Sequence, residues 1–175
     1  MKKCPLIKIH AGKAMMAKTI ISLFPDHNTY IEPFVGGGAV FFKKPKANVN
    51  ILNDINTDFI TTYKVFRDRG PEIINKLNNS LYGRELYNKS CTILKDTSKH
   101  SDLDIAWAVI YSSSNSFRHK ICNGFSSIGL DSRPGRAQLS VHYNYINSIH
   151  VQQGMLSNVT IENLDATDCI KKYDE

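Results

Sequence analysis

The residues best suited to chemistry lie in two short stretches. The first is Glu32-Pro33-Phe34-Val35-Gly36-Gly37-Gly38, a carboxylate followed by three consecutive glycines. Glycine has no Cβ, so a turn built from it lets backbone N–H groups approach a ligand that side chains would hold away. The second is Asn53-Asp54-Ile55-Asn56, which closes the apolar run Val49 to Leu52. A carboxylate at the tip of the second strand of a nucleotide-binding sheet can accept both hydroxyls of a ribose, which makes Asp54 a candidate ribose ligand. The competing reading is an aspartate capping the next helix. Glu32, beside the turn, is a candidate partner for a ligand's ammonium group. Its competing reading is a strand-end carboxylate satisfied by backbone amides.

Two phosphate-binding patterns are missing. The loop G-x-x-x-x-G-K-[ST] has no match, because Gly12-Lys13 is followed by Ala14. The dinucleotide fingerprint G-x-G-x-x-G also fails, because Gly36-Gly37-Gly38-Ala39-Val40-Phe41 lacks its third glycine.

The elements around these stretches follow from periodicity. Tyr30-Ile31-Glu32 reads as a strand, and a helix is expected from about Ala39 after the glycines. Val49 to Leu52 reads as a second buried strand. Thr57 to Arg67 reads as a helix with Phe59, Ile60, Tyr63 and Phe66 on one face, capped by Asn56 or Thr57. Strand, turn, helix, strand, helix is the opening of a parallel α/β sheet. Right-handed crossovers would set the two strands side by side with their carboxyl ends at one edge, where ligands bind. Before this unit, Gly12 to Phe24 has Met15, Met16, Ile20, Leu23 and Phe24 at helical spacing and stops at Pro25. After it, Pro71 suits the first turn of a helix, and Gly83 to Lys95 is a polar helical stretch. Ser101 with Asp104 suits a helix start that Ile105 to Tyr111 continues, with Trp107 in its core rather than on a stacking platform. Val159-Thr160-Ile161 returns to strand and leads to Asp165.

Composition sets the outer bounds. The 175 residues suit one domain, or one with a substantial insertion, and a 42% hydrophobic fraction is enough for a core. The net charge of +6 and pI near 9.1 favour polyanionic partners. Four scattered cysteines, with no C-x-x-C pair, argue against a zinc site and suit a reducing compartment. The basic start is broken by charge before any apolar region forms, and no stretch is long enough to span a bilayer. A soluble, cytoplasmic protein is expected. Between Ser112 and Ser148 the composition turns to Ser, Asn, Gly, Arg and His. Arg118, His119, Lys120, Arg133 and Arg136 there make a basic stretch, with Phe117, Phe125, Tyr143 and Tyr145 nearby. Basic side chains hold phosphates and arginine reads guanine edges, so Arg118, Lys120, Arg133 and Arg136 are candidate DNA contacts. The competing reading is a solvated loop.

Taken together, these residues resemble a known family. Ile31 to Phe42 resembles the S-adenosylmethionine motif of the Dam-type DNA adenine-N6 methyltransferases, and Asn53-Asp54-Ile55-Asn56 resembles its second motif. Pro5-Leu6-Ile7-Lys8, continuing to Gly12-Lys13, resembles the N-terminal motif that closes over the methionine part of the cofactor. Where the family has an aromatic residue and paired glycines, this chain has Ile9-His10-Ala11-Gly12. Ala106-Trp107-Ala108 through Asn115-Ser116-Phe117 is similar to the target-recognition region. The resemblance implies a Rossmann-like methyltransferase sheet, incomplete at the C-terminus, with an inserted, mainly helical target-recognition domain. Residues 1–82 would form the cofactor part, 83–150 the recognition part and 151–175 the return to the sheet. It implies S-adenosylmethionine as cofactor, double-stranded DNA as partner and no metal. Lys8, Lys13, Glu32, Pro33, Phe34, Gly36, Gly37, Gly38, Asp54, Ile55 and Asp165 would be its cofactor-binding residues.

One departure is decisive for catalysis. The family's catalytic motif is Asp-Pro-Pro-Tyr, and none of the six prolines here adjoins another. The chain is therefore expected to carry no catalytic residue of that motif and to stop short of it. It would supply the cofactor-binding and DNA-reading parts of a site-specific adenine methyltransferase, with the motif on a downstream segment or a second polypeptide. A catalytically inactive DNA- or cofactor-binding remnant is the alternative. An unrelated nucleotide-binding oxidoreductase is disfavoured by the missing fingerprint.

Overall fold

The computed structural model describes residues 4–126, 138–150 and 152–174. In chain order the elements are α1 (Ala17–Ser22), β1 (Thr29–Glu32), β2 (Val49–Asn53), α2 (Thr57–Asp68), α3 (Gly70–Asn78), α4 (Arg84–Lys95), α5 (Asp102–Asn115), α6 (Gln138–His150), β3 (Val159–Glu162) and α7 (Ala166–Tyr173). The three strands form a parallel sheet in the order β1-β2-β3. Ile31 lies opposite Ile51, and Ile51 opposite Thr160. Parallel pairing brings the carboxyl ends of all three strands, at Glu32, Asn53 and Glu162, to one edge. This is the expected α/β arrangement, with the whole of α2 to α6 inside the β2-to-β3 connection.

Local signals account for most helix boundaries. The Asn56 side chain caps α2 by accepting from the Phe59 amide at 3.1 Å. Ser101 caps α5 by accepting from the Asp104 amide at 3.2 Å, and its hydroxyl donates back to the Asp104 carboxylate at 2.6 Å. Pro71 sits in the first turn of α3, where its missing N–H costs nothing. The central helix is α5. Every residue from Ile105 to Asn115 is buried, and α5 packs on both α2 and α4. Trp107 lies in the core as expected, stacked on Tyr111 with its indole N–H donating to Ser80 at 2.7 Å. One continuous core joins Leu6, Tyr63, Phe66, Trp107, Tyr145 and Val159.

Three expectations change, and one helix is added. The helix expected over Gly12 to Phe24 is only the six residues of α1, and its presumed apolar face is split: Ile20 and Phe24 pack against the core, whereas Met15 is 95% exposed, and Met16 and Leu23 are exposed too. Ala17 is the residue of α1 that enters the core. The helix expected from Ala39 is a single turn, closed by Phe42 N–H to Gly38 and Lys44 N–H to Val40. Ala39 to Phe42 is buried on every side and has no polar face to continue, and Pro45 stops the run. Part of the polar stretch after Ser112 is helical instead: α6 buries His142, Tyr145, Ile146 and Ile149 at helical spacing. Finally, α7 follows β3, capped by Asp165.

A single side chain holds the strand ends together. Asn53 is fully buried. Its amide donates to the Pro33 carbonyl and the Leu164 carbonyl, both at 3.0 Å, while its oxygen accepts from the Leu164 amide at 2.8 Å. Residues leaving β1, β2 and β3 are thus joined at one point. Asn53→Ala is expected to cost about 2–3 kcal/mol, because it strands buried backbone groups without partners. Urea unfolding of the two proteins checks this.

Candidate functional site

The glycine turn after β1 and the N-terminal segment enclose one cleft of about 350 Å³. Its walls include Ile7, Ile9 and Lys13 from the segment before α1, and Phe34, Gly36 and Gly37 from the turn after β1. Glu32 ends β1 and is 5% exposed. The Tyr30 hydroxyl donates to its Oε2 at 2.8 Å, and the Lys13 ammonium stands 2.9 Å from Oε1. Lys13 also donates to the Phe34 carbonyl at 2.7 Å. Although it is buried, Oε1 of Glu32 accepts no hydrogen bond among the described residues. Its counter-charge is the Lys13 ammonium, held as an ion pair.

Asp54 does not cap α2, since Asn56 does. Its carboxylate instead bridges two loops. One oxygen accepts from the Gly36 amide at 2.8 Å and the other from the Asn56 amide at 3.0 Å. This fixes the glycine turn to the tip of β2. Asn163, just past β3, adds a second tie: its side-chain amide donates to the carbonyls of Asp54 at 2.8 Å and Ile55 at 3.2 Å. Neither Asn53 nor Asn163 was singled out from sequence. A polar residue at a strand's end is the one signal that could have pointed to them.

The glycines are required by the protein's own packing as much as by any ligand. Gly36 and Gly38 have positive φ, at 49° and 73°. A Cβ on Gly37 would lie 2.1 Å from the Ile7 carbonyl oxygen, and one on Gly38 would lie 2.6 Å from the Tyr63 hydroxyl. The N-terminal segment therefore lies directly on the turn, with the Leu6 amide donating to the Gly37 carbonyl at 2.9 Å. The Tyr63 hydroxyl donates to the Gly36 carbonyl at 2.9 Å from below.

The sequence-derived residues fall into distinct places. Lys13, Glu32, Phe34, Gly36 and Asp54 come together, with Pro33 and Ile55 in the flanking loops. Lys8 does not join them. Ile7 and Ile9 line the cleft, whereas Lys8 between them faces a separate groove of about 1130 Å³ with Lys18, Lys43 and Tyr145. Its ammonium sits 4.1 Å from the Tyr145 ring centroid, and burial pushes the amine down to about 8. Asp165 is exposed and holds the first turn of α7 by accepting from the Thr167 amide at 2.8 Å. Amides of α7 hold its carboxyl below the usual range.

Among the DNA candidates, Arg118 and Lys120 lie in an exposed loop, and Arg133 and Arg136 lie outside the described residues. The loop is closed by a bridge between Ser116 and Phe125 and contains three non-glycine residues at positive φ, Arg118, His119 and Cys122. It docks on the N-terminal segment. The His10 amide donates to the His119 carbonyl at 3.1 Å, and its imidazole Nδ1 lies 3.2 Å from the Arg118 carbonyl oxygen. The Arg118 guanidinium lies 5.4 Å from the centroid of the exposed Phe117 ring. Among the described residues no group of acidic, histidine and cysteine side chains is arranged to hold a metal, and no helix is long and apolar enough to cross a membrane.

Comparison with known proteins matches residues 12–174 to the family described as D12 class N6 adenine-specific DNA methyltransferase. The chain is 34% identical over 76 residues to the type II methyltransferase M1.LlaDCHI of Lactococcus lactis subsp. cremoris, covering 43% of this chain and 26% of that protein. It is 38% identical over 69 residues to the DNA N-6-adenine-methyltransferase of Escherichia phage P1, covering 39% of this chain and 9% of that one. It is 38% identical over 68 residues to the DNA adenine methylase of Haemophilus influenzae, covering 38% and 23%. The matched stretch thus spans little more than a quarter of these relatives at most.

Gly37→Ala tests the packing at the turn. Its Cβ cannot coexist with the Ile7 carbonyl, so the N-terminal segment is expected to lift. The Leu6 amide should then lose most of its protection in hydrogen exchange, while amides of α5 keep theirs.

Proposed function

Because the chain belongs to the D12 class N6 adenine-specific DNA methyltransferases, we propose that it supplies the cofactor-binding and DNA-reading parts of an enzyme that methylates adenine N6 at a specific DNA site. The observation that carries this reading is the Asp54 bridge to Gly36, which joins a strand-tip carboxylate to a glycine turn beside a cleft. When bound, S-adenosylmethionine supplies the activated methyl group. Asp54 accepts from its ribose hydroxyls, Glu32 takes its ammonium and Lys13 its carboxylate. Gly36, Gly37 and Gly38 shape the backbone against it, and Pro33, Phe34 and Ile55 give apolar contact. Lys8 and Asp165, the other two cofactor candidates from sequence, lie apart from this cleft, Lys8 on the separate groove and Asp165 at the cap of α7. Burial of Glu32, whose Oε1 already faces a primary ammonium, supports the fit.

In this reading residues 1–82 form the cofactor part, 83–150 the target-recognition part and 151–175 the return to the sheet. Arg118, Lys120, Arg133 and Arg136 hold double-stranded DNA, and the work is done in the cytoplasm. The Asp-Pro-Pro-Tyr motif is not among these 175 residues, since no two prolines adjoin. Another segment or a second polypeptide carries it. The outer edge of β1, unpaired among the described residues, is where a further strand can join. A second reading, an inactive DNA- or cofactor-binding remnant, is favoured by the same missing motif.

Calorimetric titration with S-adenosylmethionine tests the cofactor assignment. Asp54→Ala is expected to weaken binding at least tenfold, about 1.4 kcal/mol. Equal affinity in a folded variant would overturn the ribose role. For DNA, Arg118→Ala combined with Lys120→Ala should lower the salt dependence of binding by about two phosphate contacts. An unchanged slope would move the DNA surface elsewhere.

A further inference from the structure

Glu32 has two lysine neighbours of opposite character. Lys44 is 2% exposed. Its ammonium donates to the Asn50 side-chain oxygen at 2.8 Å and the Pro45 carbonyl at 3.0 Å, and lies 4.1 Å from the centroid of the Tyr30 ring. Asn50 and Tyr30 are paired in register on β2 and β1, so Lys44 is fixed by the sheet itself. Burial holds its amine down to about 8, opposed by the nearby Glu32 charge. Lys13 differs. Its side chain is 40% exposed and comes from the segment that overlies the turn. It donates to the Phe34 carbonyl at 2.7 Å, and it faces Oε1 of Glu32 at 2.9 Å as an ion pair without a hydrogen bond.

We propose that Lys13 is an internal stand-in for a ligand's ammonium group, and that it makes the cleft selective for a zwitterionic amino-acid end. The inference rests on reading the cleft as the cofactor site. Two acceptors, Oε1 of Glu32 and the Phe34 carbonyl, already hold one primary ammonium, so the position is built for that group. A buried carboxylate left without a counter-charge is costly, so the position is filled by a cation at all times. Lys44 cannot leave it without breaking its bonds to the sheet, whereas Lys13 can turn into solvent. A ligand ammonium therefore displaces Lys13 alone. The displaced lysine regains a partner only if the ligand also carries a carboxylate beside the amine. An amine without a carboxylate gains Glu32 but leaves Lys13 unpaired. A carboxylate without an amine has nothing with which to displace it.

The prediction is a change of opposite sign for the two ligand ends: removing Lys13 should improve binding of a purely cationic end and weaken that of the zwitterion. Calorimetry of the full chain compares S-adenosylhomocysteine with its decarboxylated counterpart, which keeps the amine. Lys13→Met is expected to weaken the first and to tighten the second by roughly threefold or more. Lys13→Gln should act in the same direction while keeping a polar side chain, and it decides the matter if the methionine variant melts early. Weaker or unchanged binding of the decarboxylated ligand in a folded variant would overturn the stand-in role and leave Lys13 as an ordinary contact. Failure of both ligands to bind the folded wild-type chain would overturn the cofactor reading itself.

Discussion

A parallel sheet ends every strand on the same side, and each strand leaves there with backbone groups that have no ladder partner. In this protein Asn53 meets that requirement. Its buried side chain spends both donors and its acceptor on Pro33 and Leu164, so the exits of β1 and β3 are held against β2. An amide is suited to the task because it gives and accepts at once, which neither a carboxylate nor an ammonium does. The Val35 amide adds a bond to the Asn53 carbonyl at 2.9 Å. The glycine turn, the Asp54 bridge and the loop before α7 all start from this joint.

Above the joint, the cleft is made by the chain folding back on itself. The N-terminal segment covers the glycine turn through the Leu6 bond to Gly37, and α6 holds the segment from its other side through the Tyr145 hydroxyl on the Leu6 carbonyl. Its alternation divides the two faces, with Ile7 and Ile9 toward the turn and Lys8 toward Tyr145. The same segment meets the basic loop through His10 and the carbonyls of Arg118 and His119. The covering of the proposed cofactor cleft and the proposed DNA-reading loop are therefore in direct contact.

Charge around Glu32 is layered in depth. Lys44 and Tyr30 lie beneath it on the sheet, and Lys13 lies on the cleft side. The inner layer is held by packing, and the outer one by an ion pair that solvent can reach. A site arranged this way keeps its buried carboxylate compensated while leaving one oxygen available for exchange.

What the sequence determined by itself is what depends on neighbours along the chain. The glycine turn, the first two strands, the helix after β2 and the caps at Asn56 and Ser101 were legible because each is set within a few residues. The burial of Trp107 followed from the apolar face around it. Periodicity misled where apolar residues at helical spacing had nothing to pack on, as at Met15, Met16 and Leu23. It was also missed where buried polar rings and Ser/Asn positions disguised a helix, as in α6. The partners of Asn53, Asn163 and Lys44 were not legible, since they are far away in the chain or buried with them. The separation of Lys8 from Lys13, the direction of Asp54 toward Gly36 and the use of Asp165 as a helix cap were decided by the tertiary structure alone. Local sequence sets the conformations open to each segment. Which polar group meets which is fixed only when distant backbone groups must all find partners in one buried space.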